Sequence, residues 1–381
     1  MTHARILGVA GGDPLDRRTS SGRAAFTVAA LERRGSLAGA IGARPAWVGV
    51  MEKAGAVARD RERWKQGFFA SATRTTPIAR TVTEAVGSLR ARRLLADANV
   101  VLQVTAWFSL GRIAHRAGVL HALYVDTTLA RFLGRPDLGL DPASRPVRRT
   151  LAFERRIFRA ADVTFTTSEW ARASVVGDYG AEPEHVVAVG LGANALRAPA
   201  MPEREWSVPR LLFVGYAWER KGGPELLEAF RRVRAAHPAA ELTIVGPPPG
   251  PPQPGVTWRG PIDRTTAEGE AELAALHERA TMFCMPSRYE PLGNANLEAL
   301  SYGLPVIAGS NGGAADVIGD GACGRIVPSM DAGALGDTLE ELAGNPEMVR
   351  RMGEEAVRRA AASHTWDAVA ANMAEVLEAR L

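Results

Sequence analysis

The sequence predicts an α/β protein made of two Rossmann-like domains, each a parallel sheet with helices on both faces. The chain has 381 residues, more than a typical single hydrophobic core holds, and its 46% apolar and 23% charged residues are typical of a globular protein. Strand-length apolar runs alternate with helix-length segments from end to end. Runs that are apolar at successive positions are typical of parallel strands buried on both faces.

About six strands are predicted in each half. In the first half the runs are RILGVAG, SLAGAIG, VVLQVTA, HALYVD, DVTFTTS and HVVAVG. In the second half they are RLLFVGY, ELTIVG, VTWRG, MFCMPS, PVIAGS and GRIVP. Helices are predicted between them, for example over residues 23–34, 223–236 and 347–362. The proline-rich PPPGPPQPG at 247–255 directly follows a strand, which favours a rigid connection over a polyproline ligand.

The predicted domain boundaries follow from the breaks in this alternation. Residues 1–195 form the first domain, 196–209 a proline-bearing linker, and 210–364 the second domain. In residues 365–381, Trp366, Val369, Met373, Val376 and Leu377 follow a helical stripe. This last segment is therefore predicted to be an amphipathic helix that packs on an apolar surface.

Several classes of protein are disfavoured. No run of about 18 apolar residues occurs, which argues against a spanning helix, and the N-terminus lacks the apolar core of a signal peptide. A cytoplasmic protein is expected. The two cysteines, Cys284 and Cys323, lie in apolar surroundings and are expected to be buried and inert. No histidine pair has metal-ligand spacing, so a structural metal site is not expected. No cofactor of another kind is expected either.

Charge is distributed unevenly. The net charge is +12 over residues 1–200 and −8 over residues 201–381. The basic residues are dispersed and lack interleaved aromatic residues, so no nucleic-acid partner is expected. An anionic membrane or a phosphorylated acceptor suits the basic half, and so does a simple set of solvated arginine-rich helices.

Residues 44–76 interrupt the β–α alternation and carry a dense mixture of cations and aromatic residues. These are Arg59, Arg61, Arg63, Lys65, Trp64, Phe68 and Phe69. The mixture fits an interfacial helix or an acceptor-binding lid. It equally fits a helix with its aromatic residues turned into the core, and the sequence leaves these alternatives open.

Familiar nucleotide and hydrolase motifs are missing or incomplete. GLGANA at 190–195 resembles a dinucleotide fingerprint, but Pro199 and Pro202 prevent the helix that should follow. No G-x-x-x-x-G-K-[ST] and no G-x-S-x-G occurs. A P-loop enzyme and an α/β-hydrolase are therefore disfavoured.

The segment FVGYAWERKGGPELLEAF, residues 213–230, predicts a phosphate site. Its loop carries Arg220 and Lys221 between a strand and the start of a helix at Pro224. Only three lysines occur in the chain against 43 arginines, so composition alone does not explain Lys221. Two cations at the carboxyl end of a strand suit a phosphate clamp.

The segment RYEPLGNANLEALSYGLPVIAGSNGGAAD, residues 288–316, predicts a sugar-nucleotide site. A strand should end before it, and a two-turn helix should begin near Asn294, its expected N-cap. Backbone amides near the helix start favour an anion. Glu290 and Glu298 would lie on either side of that anion. Carboxylates repel phosphate, so each is better suited to accept hydrogen bonds from hydroxyl groups, as on the ribose and hexose of a nucleoside diphosphate sugar.

Residues 211–316 resemble the donor-binding domain of the family-4 retaining glycosyltransferases. Glu290 and Glu298 match the Glu-x7-Glu pattern within PSRYEPLGNANLEALSYGLPVIAG. The resemblance extends to residues 168–194, to GGDPLDRRTSSG near the N-terminus and to HTWDAVAANM near the C-terminus. It implies the GT-B fold, in which two Rossmann-like domains face each other across a cleft and a C-terminal helix crosses back to the first domain.

The resemblance also implies site residues. Glu298 would hold the ribose, Glu290 would contact the transferred sugar, and Lys221 with Arg220 would neutralise the leaving diphosphate in place of a metal. The other donor-binding residues implied are Gly22, Leu292, Gly293, Asn294, Arg259 and Gly260. Two positions depart from the family. Tyr216 replaces a common arginine, and Asp126 replaces a common histidine beside the reacting sugar.

The expected activity is retaining, metal-independent transfer of a hexose-type sugar from a nucleoside diphosphate sugar to a glycan, lipid-linked or small-molecule acceptor. A peripheral contact with the inner face of an anionic membrane is also expected. The alternatives are a non-catalytic nucleotide-sugar-binding protein of the same fold and another GT-B enzyme, such as a nucleotide-sugar epimerase.

Overall fold

The computed structural model describes residues 2–17, 22–55, 77–133, 135, 138, 140–194, 201–319 and 321–381. The chain divides into two compact units. Unit 1 comprises Met1–Gly190 together with Trp366–Leu381, and unit 2 comprises Leu191–Thr365.

Unit 1 is built on a six-stranded parallel sheet in the order β2-β1-β3-β4-β5-β6. Its strands are β1 (Ile6–Ala10), β2 (Leu37–Gly42), β3 (Val100–Val104), β4 (Leu120–Val125), β5 (Val163–Thr166) and β6 (Val186–Ala188). Its helices are α1 (Arg23–Arg33), α2 (Ala46–Gly55), α3 (Pro77–Ala91), α4 (Gly111–Arg116), α5 (Arg145–Ala160), α6 (Glu169–Gly177) and the terminal α13 (Trp366–Glu378).

The terminal helix belongs to unit 1, where it packs on an apolar surface as its amphipathic pattern predicted. The stripe residues Trp366, Val369, Met373 and Leu377 are buried. The Trp366 ring stacks on Phe26 of α1 with centroids 5.7 Å apart. Burial of this apolar stripe, rather than helix propensity, accounts for the position of α13.

Unit 2 has a second six-stranded parallel sheet, in the order β12-β11-β10-β7-β8-β9. Its strands are β7 (Arg210–Val214), β8 (Glu241–Val245), β9 (Val256–Gly260), β10 (Met282–Met285), β11 (Val306–Gly309) and β12 (Gly324–Val327). Its helices are α7 (Gly223–Ala236), α8 (Ala267–Arg279), α9 (Asn294–Ser301), α10 (Ala314–Ile318), α11 (Ala332–Ala343) and α12 (Pro346–Ser363).

The predicted α/β class with two parallel sheets is confirmed, and all twelve predicted strands are present. The predicted helices at 23–34, 223–236 and 347–362 correspond to α1, α7 and α12, each within one residue at either end. The proline-rich 247–255 connects β8 to the parallel β9 without a helix. Of residues 44–76, residues 44–55 with α2 are described, whereas the cluster of cations and aromatic residues from Arg59 to Phe69 lies outside the described residues.

Cys284 and Cys323 are both buried and free, as expected. Burial in apolar surroundings holds the pKa of the Cys284 thiol far above its ordinary value, so the thiol stays protonated. Among the described residues no helix is both long and apolar enough to cross a membrane.

Candidate functional site

The sheet order of unit 2 brings the two predicted loops together. β7 and β10 are hydrogen-bonded neighbours, although about 70 residues separate them along the chain. The order changes direction between these strands, since β8 and β9 lie on one side of β7 and β10 to β12 on the other. Ligands of open α/β sheets bind beyond the carboxyl ends of the strands at such a switch point.

Lys221 and Arg220, from the loop after β7, both contact the carboxylate of Glu290, from the loop after β10. The Lys221 ammonium donates to Oε2 of Glu290, and an Arg220 guanidinium nitrogen lies 3.2 Å from the same oxygen. The same Arg220 nitrogen donates to the Tyr289 carbonyl at 3.0 Å. Burial alone would raise the pKa of Glu290, but Lys221 and Arg220 outweigh it and hold that pKa below its ordinary value. Glu290 is therefore a carboxylate at neutral pH.

The backbone of Glu290 is held by a glycine segment after β11. Its N–H donates to the Asn311 carbonyl at 3.0 Å, and its own carbonyl accepts from the Gly313 N–H at 3.2 Å. A Cβ added at Gly312 would lie 1.8 Å from the Glu290 carbonyl oxygen. Only glycine permits this approach, so the Gly-Gly pair of the sequence fixes the position of Glu290.

The start of α9 differs by one residue from the prediction. Asn294 was expected to be the N-cap, but the N-cap is Gly293, and Asn294 is the first residue of the helix. Gly293 has φ +87°, a backbone conformation that glycine adopts freely and that asparagine adopts only at an energetic cost. The buried Leu292 precedes it, and its carbonyl accepts from the Asn296 amide at 3.0 Å.

Glu298, in the middle of α9, has its own cationic partner. One guanidinium nitrogen of Arg264 lies 2.9 and 3.1 Å from the two carboxylate oxygens of Glu298, whose side chain is only 3% exposed. Burial raises the pKa of Glu298, and the charge of Arg264 only partly offsets this. Arg264 also lies 3.4 Å from Glu270 of α8.

Arg259 and Gly260, which the resemblance implied as donor-binding residues, end β9. The Arg259 side chain forms a bidentate pair with Glu272 of α8, with one hydrogen bond of 2.6 Å. The Arg259 side chain is 45% exposed and that of Glu272 is 35% exposed. Tyr216, the departure after β7, is 69% exposed and donates from its hydroxyl to the Ile262 carbonyl at 3.3 Å.

Two predicted residues lie in unit 1. Gly22 is the N-cap of α1, and Asp126 directly follows β4. The next residue after Gly22, Arg23, is buried and lies 2.8 Å from the Asp126 carboxylate. Its guanidinium also lies 5.6 Å from the centroid of the Tyr124 ring. Arg23 thus connects the two predicted positions within this unit.

The loop after Asp126 is anchored by a buried carboxyl group. Glu154 of α5 accepts from the Leu129 N–H at 3.1 Å and from the Tyr179 hydroxyl, and that hydroxyl accepts from the Ala130 N–H at 3.0 Å. Burial raises the pKa of Glu154 to about 7, although these hydrogen bonds and the charge of Arg80 lower it. The sequence did not predict that Glu154 is buried, since an acidic residue within an arginine-rich helix is expected to lie at the surface.

The structure brings Lys221, Arg220 and Glu290 into one cluster, with Leu292, Gly293, Asn294 and Glu298 on the segment that follows. Sequence reasoning missed Arg264 and Arg23. A signal existed for each, because Arg264 stands in the loop after a predicted strand and Arg23 directly follows the predicted Gly22. Among the described residues there is no group of three or more His, Cys, Asp or Glu side chains placed to hold a metal ion.

Residues 204–359 match the family model described as glycosyl transferases group 1. The chain is 32% identical over 243 residues to the MMP alpha-(1->4)-mannosyltransferase of Mycolicibacterium hassiacum, covering 61% of this chain and 58% of that protein. It is 29% identical over 334 residues to the GDP-mannose-dependent alpha-(1-6)-phosphatidylinositol monomannoside mannosyltransferase of Mycolicibacterium smegmatis, covering 80% and 83%. The matches to the first of these relatives and to a glycogen synthase of Mycobacterium tuberculosis span 58% and 66% of their lengths.

Solved structures match over nearly the whole chain. The sucrose-phosphate synthase of Thermosynechococcus elongatus superposes with a TM-score of 0.66 at 18% identity, covering 99% of both chains. Anabaena HepE in complex with UDP-glucose superposes with a TM-score of 0.63 at 13% identity, covering 99% of this chain and 100% of that one. At these identities the likeness concerns the fold.

Proposed function

We propose that this chain is a group 1 glycosyltransferase of the GT-B fold. It would move a hexose-type sugar from a nucleoside diphosphate sugar to an acceptor hydroxyl with retention of anomeric configuration. The observation that carries the proposal is the cluster of Lys221, Arg220 and Glu290 at the switch point of unit 2. Both cations contact Glu290, which precedes the start of α9 by four residues, and both lie within the residues that match the family model.

The proposed chemistry breaks the bond between the anomeric carbon and the β-phosphate oxygen. The acceptor oxygen bonds to the anomeric carbon on the same face, and the nucleoside diphosphate leaves. The acceptor proton passes to an oxygen of the departing phosphate. Negative charge on that phosphate grows in the transition state, so Lys221 and Arg220, already held at Glu290, would stabilise it.

The remaining residues would position the donor. Backbone at Leu292, Gly293 and Asn294 would receive sugar hydroxyls and phosphate, consistent with the polarity of a helix start. Glu298 would accept from the ribose hydroxyls. Gly22 and Asp126, linked by Arg23, would serve the diphosphate and the reacting sugar.

We propose that no divalent metal takes part, because Lys221 and Arg220 supply two positive charges where a metal would otherwise act. Transfer should continue in excess EDTA, and added magnesium or manganese should leave the rate unchanged. A rate that requires either ion contradicts this part of the proposal. Retention is tested by proton NMR of the product, in which the anomeric coupling should match that of the donor.

The donor is best identified by thermal shift. A ligand that binds only the folded protein raises its melting temperature, so the preferred nucleoside diphosphate stabilises more than the others. UDP, GDP and ADP and their hexose derivatives should be compared. GDP-mannose and UDP-glucose come first, because a relative and a solved structure carry those names. Stabilisation by none of them contradicts the proposal.

We place the protein in the cytoplasm, peripheral to the membrane, with a glycan, lipid-linked or small-molecule acceptor. The +12 charge of residues 1–200 supports an acceptor that is presented at an anionic surface. Transfer should therefore be tested with acceptors in vesicles as well as in solution. Release of free nucleoside diphosphate with formation of a glycosylated product separates a transferase from a binding protein and from an epimerase.

A further inference from the structure

We propose that an anionic lipid bilayer docks on the arginine face of α5, defined by Arg145, Arg148, Arg149, Arg155, Arg156 and Arg159. This inference deepens the proposed function and rests on it, since it names the surface by which unit 1 would reach a membrane-borne acceptor. The charge imbalance of the sequence did not single out this helix.

The six arginines lie on one side of α5. At about 100° per residue they fall within an arc of roughly 120° and extend over about 21 Å of helix. All six are exposed. The opposite side carries Val147, Phe153, Ile157 and Phe158, which are buried in unit 1. The helix is therefore fixed to the protein by its apolar side and turns a row of cations outward.

The six arginines form no ion pair within the described part of the chain, although the charge of Glu84 of α3 acts on Arg156. The only acid of α5 is Glu154, which is buried on the other side of the helix. Arg155 and Arg159 donate to the carbonyls of Asp178 and Gly180 at 3.2 and 2.9 Å, which orients them without cancelling their charge. No described carboxylate lies within ion-pair distance of any of the six.

One further arginine connects this face to an exposed tryptophan. The Arg80 guanidinium of α3 lies 3.6 Å from the centroid of the Phe153 ring, and that of Arg156 lies 5.2 Å from the same centroid. Arg80 also donates to the Trp107 carbonyl at 3.2 Å, and Trp107 is 42% exposed. Arg80 thus links the cations of α5 to the segment that carries this tryptophan.

This combination fits a bilayer better than other anionic partners. Clustered arginines on an amphipathic helix are attracted to anionic headgroups, and tryptophan is enriched at the membrane interface. The exposed side of α5 itself carries no aromatic residue on which nucleic-acid bases could stack. A straight row on a single helix matches a flat surface.

The test is flotation of the full-length protein with vesicles of phosphatidylcholine alone or mixed with phosphatidylglycerol. Wild type should float with the mixed vesicles only, and salt should release it. The double variant R148E/R149E should bind the mixed vesicles at least about 25-fold more weakly, because each basic residue near an anionic surface changes partition about fivefold.

The matched control is R92E/R93E, which makes the same charge change in unit 1 on two exposed arginines outside α5. The affinity of this control for the mixed vesicles should fall by less than about threefold, since those side chains would not face the bilayer. Equal flotation with neutral and mixed vesicles, or equal loss in both variants, overturns the proposal. Tighter binding to a DNA fragment than to the mixed vesicles overturns it as well.

Donor stabilisation separates this inference from the proposed function. R148E/R149E should retain the melting-temperature rise caused by the preferred nucleoside diphosphate, because Arg148 and Arg149 are not among the residues proposed to hold the donor. A variant that keeps this rise but no longer floats supports the inference. If R148E/R149E loses the rise, the milder R148Q/R149Q replaces it, and undiminished flotation of a folded R148Q/R149Q overturns the inference.

Discussion

Glu290 and Glu298 lie eight residues apart on one segment, and each carboxylate meets arginine, yet their ionisation responds in opposite ways. Glu290 meets two cations, and its pKa is lowered despite its burial. Glu298 meets one arginine that it shares with Glu270, and its pKa is raised by burial. The number of cations at each carboxylate, together with its depth, decides which effect is larger.

This difference in pKa indicates different roles for the two glutamates. Glu290 is a fixed negative charge that holds Lys221 and Arg220 at the switch point. Glu298 is a deeper group, whose charged form depends on Arg264. The Glu-x7-Glu pattern does not predict this difference. It gives the positions of the two glutamates, one on a loop and one on a helix, but not the residues that each contacts.

The largest effect is expected from Lys221→Ala. Removal of the ammonium should lower kcat by about 10²–10³-fold, as for the loss of one preorganised group that stabilises developing charge. The fold should persist, because Arg220 still pairs with Glu290. Steady-state kinetics at saturating donor measure the first effect, and circular dichroism measures the second. Lys221→Arg is the matched control and should recover part of the rate. Turnover within twofold of wild type removes Lys221 from the mechanism.

Glu290→Gln should lower kcat by roughly 10–10²-fold, which corresponds to about 1.4–2.7 kcal/mol of transition-state stabilisation. Glutamine keeps the shape of the side chain but no longer holds the two cations by charge, so they are less well placed for the leaving phosphate. The loss should be the same at every pH near neutrality, since the pKa of Glu290 is below its ordinary value. A pH-dependent loss contradicts this assignment.

Arg264→Gln should instead produce a pH-dependent defect of about tenfold in the donor KM at neutral pH. Without Arg264 the pKa of Glu298, already raised by burial, rises further. Protonated Glu298 accepts ribose hydroxyls less well, so donor binding should weaken as pH falls and recover as pH rises. The pH profile of kcat/KM measures the shift.

Arg220→Gln is the matched control for this profile. It also removes one arginine from a glutamate, but Glu290 keeps Lys221. Its activity should fall without a shift of the profile toward alkaline pH. Equal shifts of the pH profile of kcat/KM in Arg264→Gln and Arg220→Gln would show that the two glutamates are equivalent and would contradict the proposed difference between them.

The strands were predictable because parallel strands buried on both faces are apolar at nearly every position, as in β1, β3 and β10. The loop residues Lys221 and Glu290 were predictable because each follows such a strand. The contact between them was not, because it requires β10 to pair with β7 and the sequence does not state the strand order.

The partners of Glu298 and Asp126 were even harder to predict from the sequence. Arg264 is 34 residues before Glu298, and Arg23 is 103 residues before Asp126. With 43 arginines in the chain, composition could not distinguish these two from solvated ones. The N-cap of α9 lies one residue before the predicted position. Asparagine is the commoner N-cap, which favoured Asn294, but the backbone at Gly293 has φ +87°, which favours glycine.

The smallest effect is expected from Glu270→Gln, at the edge of the Glu298 site. Glu270 lies 3.4 Å from Arg264, and both side chains are about one-third exposed. Such a pair contributes about 1 kcal/mol or less, so the donor KM should stay within about threefold of wild type. Its charge also raises the pKa of Glu298. Removal of that charge should therefore move the pH profile slightly toward acid, opposite to Arg264→Gln. A shift toward alkaline pH would mean that Glu270 acts mainly by holding Arg264 in place, so that the site depends on three residues rather than two.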